Sequence, residues 1–210
     1  MMRVGRVFLG CIVLLAASPA WADITPISHF TGDVSETFET IPDDTYTGPI
    51  DVFGGVATMD DTFAHMVVVT WIWTGPGGEV TPYAGGSMGG SPLGSILFEF
   101  AEPIAQFGGY FTTNSVDPDG TVVFRDEAGE EIDSLEMRIN ILTWAWQGWS
   151  SDVPVYSVEV IGNYAAGPPG SGAPAGGLVQ MDNLELTWVP EPGALALVLV
   201  GAALLGSRRR

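Results

Sequence analysis

The chain has 210 residues, no lysine and seven arginines against 25 acidic residues, for a formal net charge of −18. Such a surface repels nucleic-acid phosphates and anionic lipid headgroups, which excludes nucleic acid as a partner. The single cysteine, Cys11, lies near the start of the chain, so residues 23–210 hold no disulfide, thiolate nucleophile or cysteine metal site.

In chain order, Arg3 and Arg6 precede an apolar run from Val7 to Ala17, and Ala20-Trp21-Ala22 follows. A positive start, an apolar centre and a small-x-small site form the pattern of a secretory signal. Residues 1–22 are expected to pass the secretion translocon and to be removed by signal peptidase between Ala22 and Asp23. The apolar run is about half of the roughly 20 residues that a membrane helix needs, which argues against a retained anchor.

Residues 23–188 are expected to form one all-β domain. Runs rich in β-branched and aromatic residues lie at 36–40, 55–59, 66–73, 95–100, 107–111, 121–125, 131–135, 142–146, 155–161 and 181–188. Asp126-Glu127-Ala128-Gly129 joins two of them as a hairpin. Turn residues without βαβ alternation point to a β-sandwich, with a jelly roll as the expected form. The segments 75–94 and 167–177 are so rich in glycine and proline that both are expected to be surface loops. Between the leader and the terminal arginines only Arg125 and Arg138 are cationic, giving 2 − 25 = −23 formal charges. That surface attracts hard cations such as calcium, and it also keeps an extracellular protein soluble.

Beyond the domain the chain reads Val189-Pro190-Glu191-Pro192, fourteen uncharged residues from Gly193 to Gly206, Ser207, and Arg208-Arg209-Arg210. As a helix the uncharged run is about 21 Å long, short for a hydrocarbon core of roughly 30 Å, and it spans only with local thinning. The arginines stay cytoplasmic by the positive-inside rule. The two prolines hold Glu191 in extended backbone at the outer face. These three parts in this order resemble the PEP-CTERM sorting signal of Gram-negative bacteria, which makes residues 189–210 a sorting segment. The resemblance implies recognition by an exosortase near Pro190-Glu191-Pro192, transient anchoring in the inner membrane, and then a place at the cell surface or outside the cell. It also implies association with exopolysaccharide and biofilm.

Ser35-Glu36-Thr37-Phe38-Glu39 and Met181-Asp182-Asn183-Leu184-Glu185-Leu186 resemble the first and last strands of jelly-roll carbohydrate-binding modules. This likeness implies a structural calcium held by Glu39 and Asp182, the one cofactor the sequence suggests.

Trp71/Trp73 and Trp144/Trp146 alternate with period two, which places each pair on one face of its strand. The first pair, beside Val67–Val69, is expected between the sheets. Trp144, Trp146 and Trp149 sit with Gln147, Ser150 and Asp152, and form the expected ligand-facing patch for sugar rings. His29 and His65 lack the partners of a catalytic site. Two functional classes follow: a non-catalytic protein bound to extracellular polysaccharide, or a glycoside hydrolase or lyase using two carboxylates.

Overall fold

A computed structural model of the chain describes residues 23–62, 65–73, 79–91, 95–113, 119–162 and 179–190. The leader with Ala22, the segment 167–177, Glu191, Pro192, the uncharged run and Arg208–Arg210 lie outside the described residues. Among the described residues no helix is long and apolar enough to cross a membrane.

The described chain is an antiparallel all-β sandwich. Its strands are β1 (Ile24–Ile27), β2 (Val34–Glu36), β3 (Asp44–Tyr46), β4 (Ile50–Val52), β5 (Ala57–Asp61), β6 (Met66–Val69), β7 (Ile72–Trp73), β8 (Glu79–Val80), β9 (Met88–Ser91), β10 (Ser95–Thr112), β11 (Asp119–Arg125), β12 (Glu131–Arg138), β13 (Ala145–Gly162) and β14 (Val179–Trp188). Two 18-residue strands, β10 and β13, organise everything else. They pair twice, Ser95–Glu99 against Ser157–Ile161 and Gln106–Phe111 against Ala145–Ser150, with the register broken around Ile104 and Val155. Pro103 and Pro154 stand at that break, where a missing N–H is tolerated only at a bulge. Sequence runs that read as separate strands are therefore two halves of the same bent strand.

The bend lets β10 and β13 serve two layers. One runs β12-β11-β13-β10-β5-β4, and the other β13-β10-β14-β9-β6-β3, with β1 on the outer edge of β13 and β2 beside β14. The expected hairpin at Asp126–Gly129 is present: Asp126 Oδ1 accepts from the N–H of Ala128 and of Glu130, both at 2.9 Å. Between the layers lie Met59, Phe98, Phe107, Phe111, Val122, Phe124, Trp149, Val158, Leu184 and Leu186. Trp149 joins them, edge-on to Phe111 at 6.2 Å and to Phe124 at 5.9 Å.

Three expectations change. The run expected at 36–40 as the opening strand is preceded by β1 and belongs to β2, which stops at Glu36 because Phe38 turns into the core with φ of +60° and no exposure. The buried Glu36 carboxylate makes this turn work, accepting from Phe38 N at 2.7 Å and Phe53 N at 2.6 Å. Glu36→Ala strands two buried N–H groups and is expected to cost at least about 2 kcal/mol in a urea titration. Next, the segment 75–94 is not all loop: β9 is buried between β6 and β14, its alternation hidden because Gly89 and Gly90 have no side chain to mark a face. Finally, Trp71 is 52% exposed and not between the sheets. Strand β6 ends at Val69, and its inward positions are the even ones, Met66 and Val68.

Candidate functional site

Alternation along β10 and β13 divides their aromatic residues between two faces. Phe107 pairs with Trp149 and both point inward, whereas Tyr110 pairs with Trp146 on the outer face. On its other side Tyr110 pairs with Asp182 of β14, after a register shift that separates this pair from Gly108 and Glu185. Asn183, with φ of +47°, occupies the extra position of that bulge, so Leu184 and Leu186 stay inside while Asp182 faces out.

The outer face carries an aromatic platform. The Tyr83 ring, reaching over from the segment between β8 and β9, stacks on Tyr110 with centroids 3.7 Å apart and planes 13° from parallel. Trp146 stands edge-on to Tyr110 at 5.5 Å. His29 and Phe30, just after β1, meet Trp146 edge-on at 4.3 and 5.6 Å. Trp144 Nε1 donates to Thr81 O at 2.9 Å, tying the Tyr83 segment to the start of β13. Trp146 lies close over the sheet because Gly108 and Gly148 are beneath it: a Cβ on Gly108 would come within 2.8 Å of Trp146 Cζ2. The Trp146 Nε1–H is shielded from solvent and finds no acceptor among the described residues. A hydrogen bond with the Tyr83 hydroxyl, then burial, hold the Tyr110 phenol above the ordinary tyrosine range, so it is protonated at neutral pH.

Asp182 lies beside this platform and is 1% exposed. Its Oδ2 accepts from Tyr83 N at 2.8 Å and Ala84 N at 3.2 Å, and its Oδ1 from Asn183 N at 2.7 Å. Burial raises its carboxyl above the usual aspartate range, the three N–H donors oppose that, and the nearby Glu39 charge adds to it. Glu39 lies against the same turn, its carboxylate filling the space where a Cβ of Gly86 would sit, with Gly86 at φ of +87°.

The topology therefore brings Glu39 and Asp182 together, as the carbohydrate-binding-module likeness implies. Both oxygens of Asp182 accept N–H donors, and among the described residues there is no group of three His, Cys, Asp or Glu side chains that could hold a metal ion.

Of the expected patch, Trp144 and Trp146 border the platform, while Trp149 is 3% exposed and belongs to the core. The reason is parity: 146 and 149 differ by an odd number, so one β-strand cannot show both on one face. Sequence reasoning missed Tyr83, Tyr110, His29 and Phe30. Tyr110 lies directly opposite Trp146, a pairing visible only once the register is known.

Two shallow grooves lie elsewhere. One, of about 580 Å³, includes Asp119, Glu136 and Arg138; the other, of about 790 Å³, includes Asp126, Glu127, Glu131 and Tyr156. Asp119, Glu136, Glu127 and Glu131 are exposed.

No protein-family model and no curated protein matches the chain. Solved structures similar to it include a family 61 carbohydrate-binding module, TmCBM61, in complex with β-1,4-galactotriose, at 14% identity over 63% of this chain and 88% of that one, TM-score 0.38. Another is the xylan-binding domain CBM22-1 of Paenibacillus barcinonensis Xyn10C, at 13% identity over 77% and 99%, TM-score 0.41. A family 29 carbohydrate-binding module is similar at 11% identity over 78% and 86%, TM-score 0.33. At these TM-scores the likeness is loose, and the functional reading rests on the residues above.

Proposed function

We propose that this is an exported, non-catalytic envelope protein that binds extracellular polysaccharide through the Tyr83–Tyr110–Trp146 platform. The observation that carries the reading is the platform itself: aromatic rings grouped on an outer sheet face, built over glycines. Aromatic faces of this kind take the apolar C–H faces of sugar rings, while indole and phenol groups serve sugar hydroxyls. The charge pattern favours an uncharged glycan. Only two arginines lie between the leader and the terminal cluster, and Arg125 is bound to Glu159 at 2.9 Å in the opposite layer. Retention of the full chain on insoluble glucan, xylan and mannan tests this: retention by at least one is expected, and passage through all three would overturn it.

Export and sorting belong to the same proposal. The backbone N of Asp23 lies 2.9 Å from Asp152 Oδ1, so signal cleavage would create an α-ammonium group beside a carboxylate. At the other end Trp188 N donates to Asp33 Oδ2 at 3.0 Å, and the chain leaves the sandwich at the exposed Pro190. Asp182 and Trp188 are separated by about 20 Å of strand, so anchoring through residues 193–206 would hold the platform away from the membrane. Alanines at Pro190, Glu191 and Pro192 together are expected to abolish release of the ectodomain by exosortase, read as a persistent membrane-bound band on an immunoblot. Unchanged release would remove exosortase from the proposal.

A further inference from the structure

Residues 81–87 lie between β8 and β9 and carry Tyr83, the outermost ring of the platform. The described ties of this segment to the sandwich are few: Trp144 Nε1 on Thr81 O, Ser87 Oγ donating to Asp43 Oδ1 at 2.8 Å, and the two backbone N–H groups on Asp182 Oδ2. Of these backbone and side-chain ties only the last pair holds the Tyr83 backbone, while its ring is stacked on Tyr110 and hydrogen-bonded to it. The acceptor is a buried carboxylate on a bulge, and it comes from a strand almost a hundred residues further along the chain.

We infer that Asp182 is a positioning residue of the platform: its carboxylate holds the Tyr83–Ala84 backbone against the sheet and thereby fixes the Tyr83 ring on Tyr110. The inference rests on the polysaccharide reading for its functional meaning, and on hydrogen bonding alone for its structural part. A carboxylate accepts on both oxygens, taking Tyr83 N and Ala84 N on Oδ2 and Asn183 N on Oδ1 together, whereas an asparagine amide turns N–H groups toward one side or the other and loses the charge in either orientation. The bulge at Asn183 is what makes the arrangement available, since regular alternation from Leu184 would have placed residue 182 inside the sandwich. Glu39 closes the far side of the same turn at Gly86. Together the two acids do for this turn what the resemblance assigned to a metal.

The test uses Asp182→Asn in the full chain, with three readouts. Amide exchange at Tyr83 and Ala84, measured without ligand, is expected to speed up by about tenfold, as for local opening after loss of a charge-assisted hydrogen bond. Affinity for whichever of soluble β-glucan, xylan or galactomannan the unaltered chain binds is expected to fall about fivefold or more, as the ring loses its place. In a Tyr83→Ala background the same substitution should change affinity no further, because Asp182 acts through Tyr83. Unchanged exchange at both amides overturns the anchor, as does a full affinity loss that persists in the Tyr83→Ala background. A calcium-specific rise in melting temperature that Asp182→Asn abolishes also overturns it, in favour of a metal site. If Asp182→Asn does not fold, Ala84→Pro removes one of the two donors with the carboxylate intact, and unchanged exchange at Tyr83 there would contradict the inference equally. Absence of binding to all three polysaccharides in the unaltered chain overturns the polysaccharide reading, and the exchange result still decides the anchor.

Discussion

Trp149→Ala is expected to lower the stability of the sandwich by about 3–5 kcal/mol, the range for truncating a large aromatic side chain in a core. The ring lies between the layers, touching Phe111 from one and Phe124 from the other, and it is 3% exposed. Its removal leaves a cavity where the two long strands pair, so neither layer can close over it without moving the other. For a domain of this size the loss corresponds to a fall in melting temperature on the order of 10 °C. A melting curve displaced by only a degree or two would mean that Trp149 does not bridge the layers.

Trp146→Ala should behave in the opposite way. The indole lies over Gly108 and Gly148 on the outer face, and its removal uncovers backbone that water can reach without opening the core. Stability is expected to change by about 1 kcal/mol or less, in the range of surface substitutions. Binding to an uncharged polysaccharide is expected to weaken by at least about 2 kcal/mol, or some thirtyfold, as for loss of a central aromatic anchor. Parallel melting and affinity-gel measurements on Trp146→Ala and Trp149→Ala separate the two roles. A Trp146→Ala protein that binds as before would remove this residue from the site.

These two tryptophans also show how far the sequence could be read. The alternation Trp144/Trp146 was visible, and so was the β-rich character of the whole domain, because both depend on local spacing. The difference between Trp146 and Trp149 was equally a matter of parity, yet their shared polar surroundings, Gln147, Ser150 and Asp152, obscured it. What was not legible depends on long-range pairing. Tyr83 belongs to a glycine-rich segment with no periodicity, and it reaches Tyr110 only because β9 pairs with β14, which itself pairs with β10. Asp182 could be nominated from sequence as an acidic residue near the end of the chain that meets Glu39, and the two do meet. The positioning role proposed for it could not be read there, since the bulge at Asn183 and the N–H groups of Tyr83 and Ala84 appear in no local pattern. The runs 95–100 and 107–111, and 142–146 and 155–161, read as separate strands, whereas β10 and β13 bend near Pro103 and Pro154 and continue.

The most direct measurement of the central claim is a titration of the full chain with soluble polysaccharide, following the indole N–H resonances of its tryptophans. Trp146 Nε1–H has no protein acceptor among the described residues and lies within the platform, whereas Trp149 is enclosed by the core. The Trp146 resonance is expected to shift with saturation, the Tyr83 and Tyr110 ring signals to move with it, and Trp149 to stay in place. Saturable shifts centred on residues of the opposite layer, with Trp146 and Tyr83 unmoved, would contradict it.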